Sequence, residues 1–407
     1  MVASSTVTQR NGRPVSHAAL AGDGSANIHL VWVDNRGGTF QLFYTMLAPE
    51  GSPLIDDTRI SDGSAIAQWP SVTVDFQDKV HIAWQYGQGE WGINDVYYCR
   101  VDPSLDDRNG NAADPNTMVP AGFQQISSAF NNSSHPRLVL TQNGDVCIIW
   151  TDWVMMGEGQ VPEIHFARLN DSGLVDVSDL ALFGSGVPQW SPAFPSVAVD
   201  AQNNLNIVWS GMDADWIPQV FYGMTDADGS IRIDATRLTA EMGYSDKYPT
   251  VLSDISGEVG VVFGGTDPED RNLIFLMRID PGRDSQDGDA ADGAQIMSLA
   301  PVALTSDSMS ANSMIPTAAV DTHGRLQVCY YGADEYWQYP PGELYFRIVE
   351  ADGTTVYAER PLTDAFTASA YSTPSKPALV WHNGSAIIAW TDQRRGRPEV
   401  MIRIIEP

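Results

Sequence analysis

The chain repeats one short grammar from end to end. Pro70 is followed fourteen residues later by Trp84, and the same interval separates Pro136 from Trp150, Pro195 from Trp209, Pro249 from Phe263 and Pro316 from Tyr330. Looser copies stand outside these five, from His17 to Trp32 and from Pro377 to Trp390. Copies recur at roughly 50 to 70 residues, the period of propeller blades. Such a repeat constrains the fold more than any composition does, because a small β unit buries its faces only by stacking on its neighbours.

Within each copy a first strand ends in a turn rich in Gly, Asn and Asp, such as Gln142-Asn143-Gly144-Asp145 or His382-Asn383-Gly384. These residues tolerate the positive φ that tight hairpins need. The second strand closes on the aromatic, as in Val146-Cys147-Ile148-Ile149-Trp150, and is apolar on both faces. That is the pattern of a strand sandwiched between sheets. The third strand opens with an acid or amide followed by aromatics, as in Gln41-Leu42-Phe43-Tyr44 and Gln219-Val220-Phe221-Tyr222, and a short fourth strand such as Thr236-Arg237-Leu238-Thr239 completes the unit.

The sequence therefore predicts an all-β, seven-bladed β-propeller of four-stranded antiparallel blades in a single domain, 1–407. Blades fall at about 14–61, 68–128, 134–184, 193–240, 247–306, 314–364 and 375–407. The seventh copy ends after its third strand. Residues 5–10 resemble the missing piece, so the N-terminal segment is expected to complete the last blade and leave no open sheet edge.

Composition then excludes several partners. The chain has 51 acidic residues against 23 basic ones, a formal charge of −28, and only Lys79, Lys247 and Lys376 are lysines. Such a surface repels nucleic acid and anionic lipid. It suits cation binding, an extracellular setting or simple solubility. No apolar run has transmembrane length. Residues 1–5 lack a basic region and an apolar core, so no signal peptide is present in this sequence, and an extracellular or cell-surface location implies one removed or left out. Cys99, Cys147 and Cys329 follow no zinc or disulfide spacing and fall in strand patterns, where thiols act as small hydrophobes.

The loop after the second strand reads Trp32-Val33-Asp34-Asn35-Arg36 in the first copy and Trp390-Thr391-Asp392-Gln393-Arg394 in the last. Trp-x-Asp-x-Arg, then an acid or amide, then aromatics, resembles the repeat of secreted bacterial β-propellers grouped loosely with sialidase-like proteins. The resemblance implies fold, not activity. Asp34 is matched by Tyr86, Gly211, Gly265 and Gly332 in other copies, and the Ser-x-Asp-x-Gly-x-Thr-Trp box of sialidases is missing.

Two kinds of site suggest themselves. Copies two and five carry similar insertions between the third and fourth strands, running from Asp102 to Asp114 and from Asp280 to Asp292. Asp106, Asn109, Asn111 and Asp114 in one, and Asp284, Asp287, Asp289 and Asp292 in the other, offer the oxygens that calcium takes, around a glycine suited to a sharp turn. Their spacing is not that of an EF-hand, and a plain acidic hairpin accounts for them equally. Second, loop aromatics Trp69, Trp91, Trp153, Trp190, Trp216 and Trp337 lie among carboxylates, a combination that suits stacking and hydrogen bonding to sugar rings. The bland alternative is that they wedge between blades. His29 and His81 occupy equivalent core positions, while His17 and His135 stand at the start of first strands.

The expected function is non-catalytic recognition of a glycan or polysaccharide, lectin-like and helped by calcium. One alternative is a polysaccharide hydrolase or lyase using loop carboxylates. The other is a propeller that binds another protein or serves surface assembly.

Overall fold

In the computed structural model the described residues are 5–6, 15–89, 92–128, 131–156, 159–184, 193–212, 217–239, 248–253, 257–269, 271–305, 312–333, 343–363, 376–392 and 399–406. They form seven four-stranded antiparallel sheets, the blades of a seven-bladed β-propeller. Blade 1 consists of Val15–Gly22, Ile28–Asp34, Gln41–Leu47 and Pro53–Arg59, side by side in that order, and the other blades repeat it. Blade 7 takes its outer strand from the N-terminus. Ser5 pairs with Ile402 and Thr6 with Met401 on the strand Glu399–Ile405, so the expected closure by the N-terminal segment is found.

The Pro-to-aromatic interval has a geometric cause. In blade 2 Gln68 pairs with Gln85 and Ser71 with Ala83, so that Trp69 and Pro70 together oppose the single residue Trp84. Blade 1 sets His17 and Ala18 against Trp32, blade 4 sets Phe194 and Pro195 against Trp209, and blade 6 sets Ile315 and Pro316 against Tyr330. The first strands of blades 1, 2, 4 and 6 thus carry a two-for-one β-bulge opposite the closing aromatic. Proline fits there because a bulge leaves a backbone N–H out of the ladder. The residue before it is driven to positive φ: 53° at His17, 51° at Trp69, 55° at His135, 55° at Phe194, 35° at Tyr248 and 53° at Ile315. A side-chain-bearing residue holds that conformation only where its surroundings enforce it.

The closing aromatics are structural. Trp32, Trp84, Trp150 and Trp390 are fully buried or nearly so, and Trp32, Phe263 and Tyr330 stack on Phe43, Phe275 and Tyr345 across the sheet at 5.7–5.9 Å between ring centroids. Second and third strands are buried on both faces because each faces a neighbouring blade. Val31, Tyr44 and Ile55 of blade 1 pack with Ile82, Trp84 and Val101 of blade 2, and Tyr222 and Ile233 of blade 4 pack with Phe263 and Met277 of blade 5.

The amide or acid that opens the third strand also has a role. A hydroxyl at the end of the fourth strand accepts from the third-strand backbone: Leu42 N to Ser61 Oγ at 2.9 Å, Val220 N to Thr239 Oγ1 at 2.9 Å and Ile274 N to Thr305 Oγ1 at 3.0 Å. Ser61 and Thr239 in turn donate to Gln41 and Gln219, each at 2.6 Å. The pair clips the outer strand in place. In the Trp-x-Asp-x-Arg loop of blade 1, Arg36 bonds Asp34 at 2.6 Å, reaches Asp57 and lies 4.2 Å from the Phe43 ring centre. That motif is a fold device, as the resemblance implies.

Two compact units are distinguished. The first, Met1–Trp150 with Ala167–Asp179 and Thr367–Pro407, holds blades 1, 2 and 7 and the first strand of blade 3. The second, Thr151–Phe166 with Leu180–Phe366, holds blades 4, 5 and 6.

Candidate functional site

Inside the first unit the first strands of blades 7, 1, 2 and 3 run side by side. In blades 1, 2 and 3 the residues at or before the proline position come into a row. The His17 ring lies 3.9 Å from that of Trp69, and Trp69 lies 4.5 Å from His135, all three half-buried. Trp69 is therefore flanked by an imidazole from each neighbouring blade, not an open platform. Two cations join the row, Arg137 two residues beyond His135 and Lys376, which precedes Pro377 in blade 7 as His135 precedes Pro136 in blade 3. Both are half-buried.

The electrostatics follow from crowding positive groups into a desolvated place. Burial, with help from the Arg137 charge, lowers His17 to about 3, and burial, Arg137 and His17 together lower His135 to about 3. Both imidazoles are neutral at physiological pH. Burial lowers Arg137 to about 10, and burial plus the Arg137 charge lowers Lys376 to about 7. His17 Nδ1 is engaged by Ser16 Oγ at 2.8 Å. The side-chain hydrogen bond of Arg137 runs from Nη1 to its neighbour Pro136 O, at 2.9 Å. Chemically the cluster can donate hydrogen bonds, supply positive charge and offer ring surface. In the second unit the corresponding residues Phe194 and Tyr248 meet at 4.3 Å, without charge.

Sequence reasoning found Trp69 and noticed His17 and His135, but missed Arg137 and Lys376. A comparison down the repeat exposes them. The residue after the proline position is Ala19, Ser71, Ser196, Thr250, Thr317 and Ala378 in six blades, and Arg137 in the other. The residue before it is aromatic or aliphatic everywhere except for the lysine of blade 7.

Of the other predicted aromatics, Trp153 is half-buried at the end of the second strand of blade 3. Trp91, Trp190, Trp216 and Trp337 lie outside the described residues, as do Glu90, Glu158, Asp213, Asp215, Asp334 and Glu335, among the carboxylates of the enzymatic alternative.

The two acidic insertions are straps laid on the preceding blade. In the first unit Asp56 N donates to Asn111 O at 2.9 Å and Ala113 N to Thr58 Oγ1 at 2.9 Å. In the second, Asp234 N donates to Asp289 O at 2.9 Å and Ala291 N to Thr236 Oγ1 at 2.9 Å. Their side chains shape the turns. Asp106 and Asp284 accept from the backbone two residues on, Asn109 Oδ1 accepts from Asn111 N, and Asp287 accepts from Asp289 N. Asp114 and Asp292 cap the one-turn helices that follow.

His29 and His81 are buried, as expected, and each is the middle of a hydrogen-bonded chain. His29 joins Asp23 at 3.3 Å to Tyr44 OH at 2.9 Å, and His81 joins Asp75 at 3.1 Å to Tyr98 OH at 2.6 Å. With no exposed ring atom, these chains belong to the core. The three cysteines are buried free thiols, and burial pushes Cys147 up to about 12.

The fold places the chain among seven-bladed propellers. No protein-family model matches it, and no curated protein does. Among solved structures it is similar to a Dyadobacter fermentans protein of unknown function, with a TM-score of 0.55 at 13% identity over 98% of this chain and 100% of that one. It is also similar to the polysaccharide lyase Uly1, with a TM-score of 0.52 at 8% identity over 96% and 90% of the two chains. A Mycobacterium tuberculosis puromycin-hydrolysing peptidase gives a TM-score of 0.52 at 12% identity, covering 98% of this chain and 55% of its own. At such identities the likeness is one of fold.

Proposed function

We propose that this protein is a glycan-recognition propeller that takes its ligand at the first-strand cluster of Trp69, His17, His135, Arg137 and Lys376. One observation carries the reading: polar and charged side chains gathered from the first strands of four blades, half-open to solvent, at positions whose counterparts in other blades are small or apolar. Saccharides are held by such mixtures of ring surface and directed donors. The polysaccharide lyase among the structures of similar fold adds a compatible precedent. Retention on immobilised polysaccharides, followed by assay of the eluate for new reducing or unsaturated ends, tests the reading. Retention without new ends, lost in Trp69→Ala, is the expected result. Retention unchanged in both Trp69→Ala and Arg137→Gln would refute the site.

A second reading takes the two imidazoles beside Arg137 as polar groups of an active site, although a value lowered to about 3 leaves each a weak base. New unsaturated ends that disappear in His17→Ala or His135→Ala would make the protein an enzyme.

A further inference from the structure

We propose that the first-strand cluster is a carboxylate site, and that the glycan it takes is an acidic one whose uronate group is received by Arg137 and Lys376. This rests on the glycan reading of the same cluster and adds the chemical class of the ligand.

Charge is the first argument. In a chain with 51 acids and 23 bases, a cation has carboxylates to choose from. Arg36, Lys79, Arg232, Arg271 and Arg325 each meet one at 2.6–2.7 Å. Arg137 does not: among the described residues its guanidinium bonds only a backbone carbonyl, and the charges around it are those of other bases. Removing a guanidinium from water without a partner costs several kcal/mol. An anion entering from solvent would offset that cost.

Position is the second argument. Six blades fold with Ala, Ser or Thr where blade 3 has Arg137, so the propeller does not need an arginine there. In blades 2 and 4 the small residue has a fold role, since Ser71 Oγ accepts from Leu138 N and Ser196 Oγ from Val251 N, both at 3.2 Å. Blade 3 has a cation at this position.

The number and shape of the charges identify the anion. His17 and His135 are neutral, each with one N–H to donate and no charge to give, which leaves Arg137 and a partly protonated Lys376 to supply between one and two positive charges. That matches a single carboxylate. A guanidinium fork also fits the planar carboxylate in two parallel hydrogen bonds. The flanking rings of Trp69 and the histidines supply apolar surface for the sugar that carries it.

Titration of the whole protein with galacturonate, galactose, acetate and inorganic sulfate tests this, in wild type and in Arg137→Gln and Lys376→Gln, each first shown to keep the wild-type circular dichroism and melting cooperativity. Galacturonate should bind at least about tenfold more tightly than galactose and lose at least about tenfold in either variant. Equal binding of galactose and galacturonate, both lost in Trp69→Ala, overturns the carboxylate assignment and leaves glycan recognition standing. Acetate and galacturonate binding that depends on Arg137, with no polysaccharide retained, supports the anion site and overturns the glycan reading instead. Sulfate bound more tightly than galacturonate, or no response to any of the four probes, overturns the inference.

Discussion

Replacing His29 by phenylalanine should cost this protein about 2–4 kcal/mol. Ring size is kept, so little of the loss comes from packing. The imidazole bonds Asp23 Oδ2 at 3.3 Å and Tyr44 OH at 2.9 Å, and all three side chains are buried. Asp23 keeps three other donors, Ser25 N, Asn27 N and Asn27 Nδ2, at 2.8–2.9 Å. Tyr44 OH loses its partner in a site with no access to water, which costs about 1–3 kcal/mol, and the weakened Asp23 bond adds about 1 more. Tyr44→Phe should cost less, and the double variant less than the sum by about 1 kcal/mol, because one bond is counted twice. The pH dependence has a definite sign. Burial alone would raise the Asp23 carboxyl, but the bonds from His29 and Asn27 outweigh it and hold the group well below the ordinary range. A depressed acid contributes stability that is present above its unfolded pKa, ~3.9, and is lost as pH falls below that. The gap between wild type and His29→Phe should therefore narrow between about pH 5 and pH 2. Urea unfolding followed by tryptophan fluorescence and circular dichroism measures each quantity. A His29→Phe protein within about 0.5 kcal/mol of wild type at pH 7, or strict additivity in the double variant, would refute the reasoning.

Three other outcomes follow from the geometry. Removing residues 1–6 uncovers the edge strand Glu399–Ile405 of blade 7, so the melting midpoint should drop by several degrees and aggregation on heating should increase; an unchanged melt would deny the N-terminal strand its closing role. Calcium is expected at the straps around Asp106–Asp114 and Asp284–Asp292, so added calcium should raise the midpoint and chelator should lower it, an effect reduced by Asp287→Ala; a midpoint indifferent to both would leave those carboxylates to turn formation alone. Burial, with help from the Arg137 charge, lowers Lys376 to about 7 against an ordinary value of ~10.4, so the unfolded chain binds the extra proton between those limits and stability should rise with pH across that window, an increment missing in Lys376→Met. Galacturonate binding should move the other way, weakening above pH 7 as the ammonium is lost.

What could be read from the sequence divides along a physical line. The blades were legible because the fold repeats its physics: a bulge that accepts proline, an aromatic opposite it, a strand buried on both faces. Even the amide or acid opening the third strand was visible, although its partner, a hydroxyl such as Ser61 or Thr239, became clear only once the fourth strand lay beside it. The straps were seen as acidic loops, but nothing in Asp102–Asp114 says that its backbone will pair with Asp56 and Thr58 of another blade. The site was harder for a related reason. Trp69, His17, His135, Arg137 and Lys376 come from four blades, and their proximity depends on how first strands sit side by side. Aromatics were sought in loops, where sugar platforms often lie, and the loop tryptophans drew attention away from strand positions.

A repeat protein offers its own control for such questions. Seven copies solve one folding problem, so a residue that every copy shares, such as the closing aromatic, reports on the fold. A residue found in one copy alone needs another account. Arg137 is of that kind: its counterparts are Ala, Ser or Thr, and it lowers the protonation of its neighbours instead of pairing with a carboxylate. Lys376 is a second instance, at the start of a blade whose first strand runs beside that of blade 1. Two independent departures from the repeat, both toward positive charge in a chain of −28, converge on one place. Folding alone would favour neither, since each raises the electrostatic cost of the other. A bound anion lowers both costs at once, and for that reason binding, not stability, is the property that replacing either residue should change most.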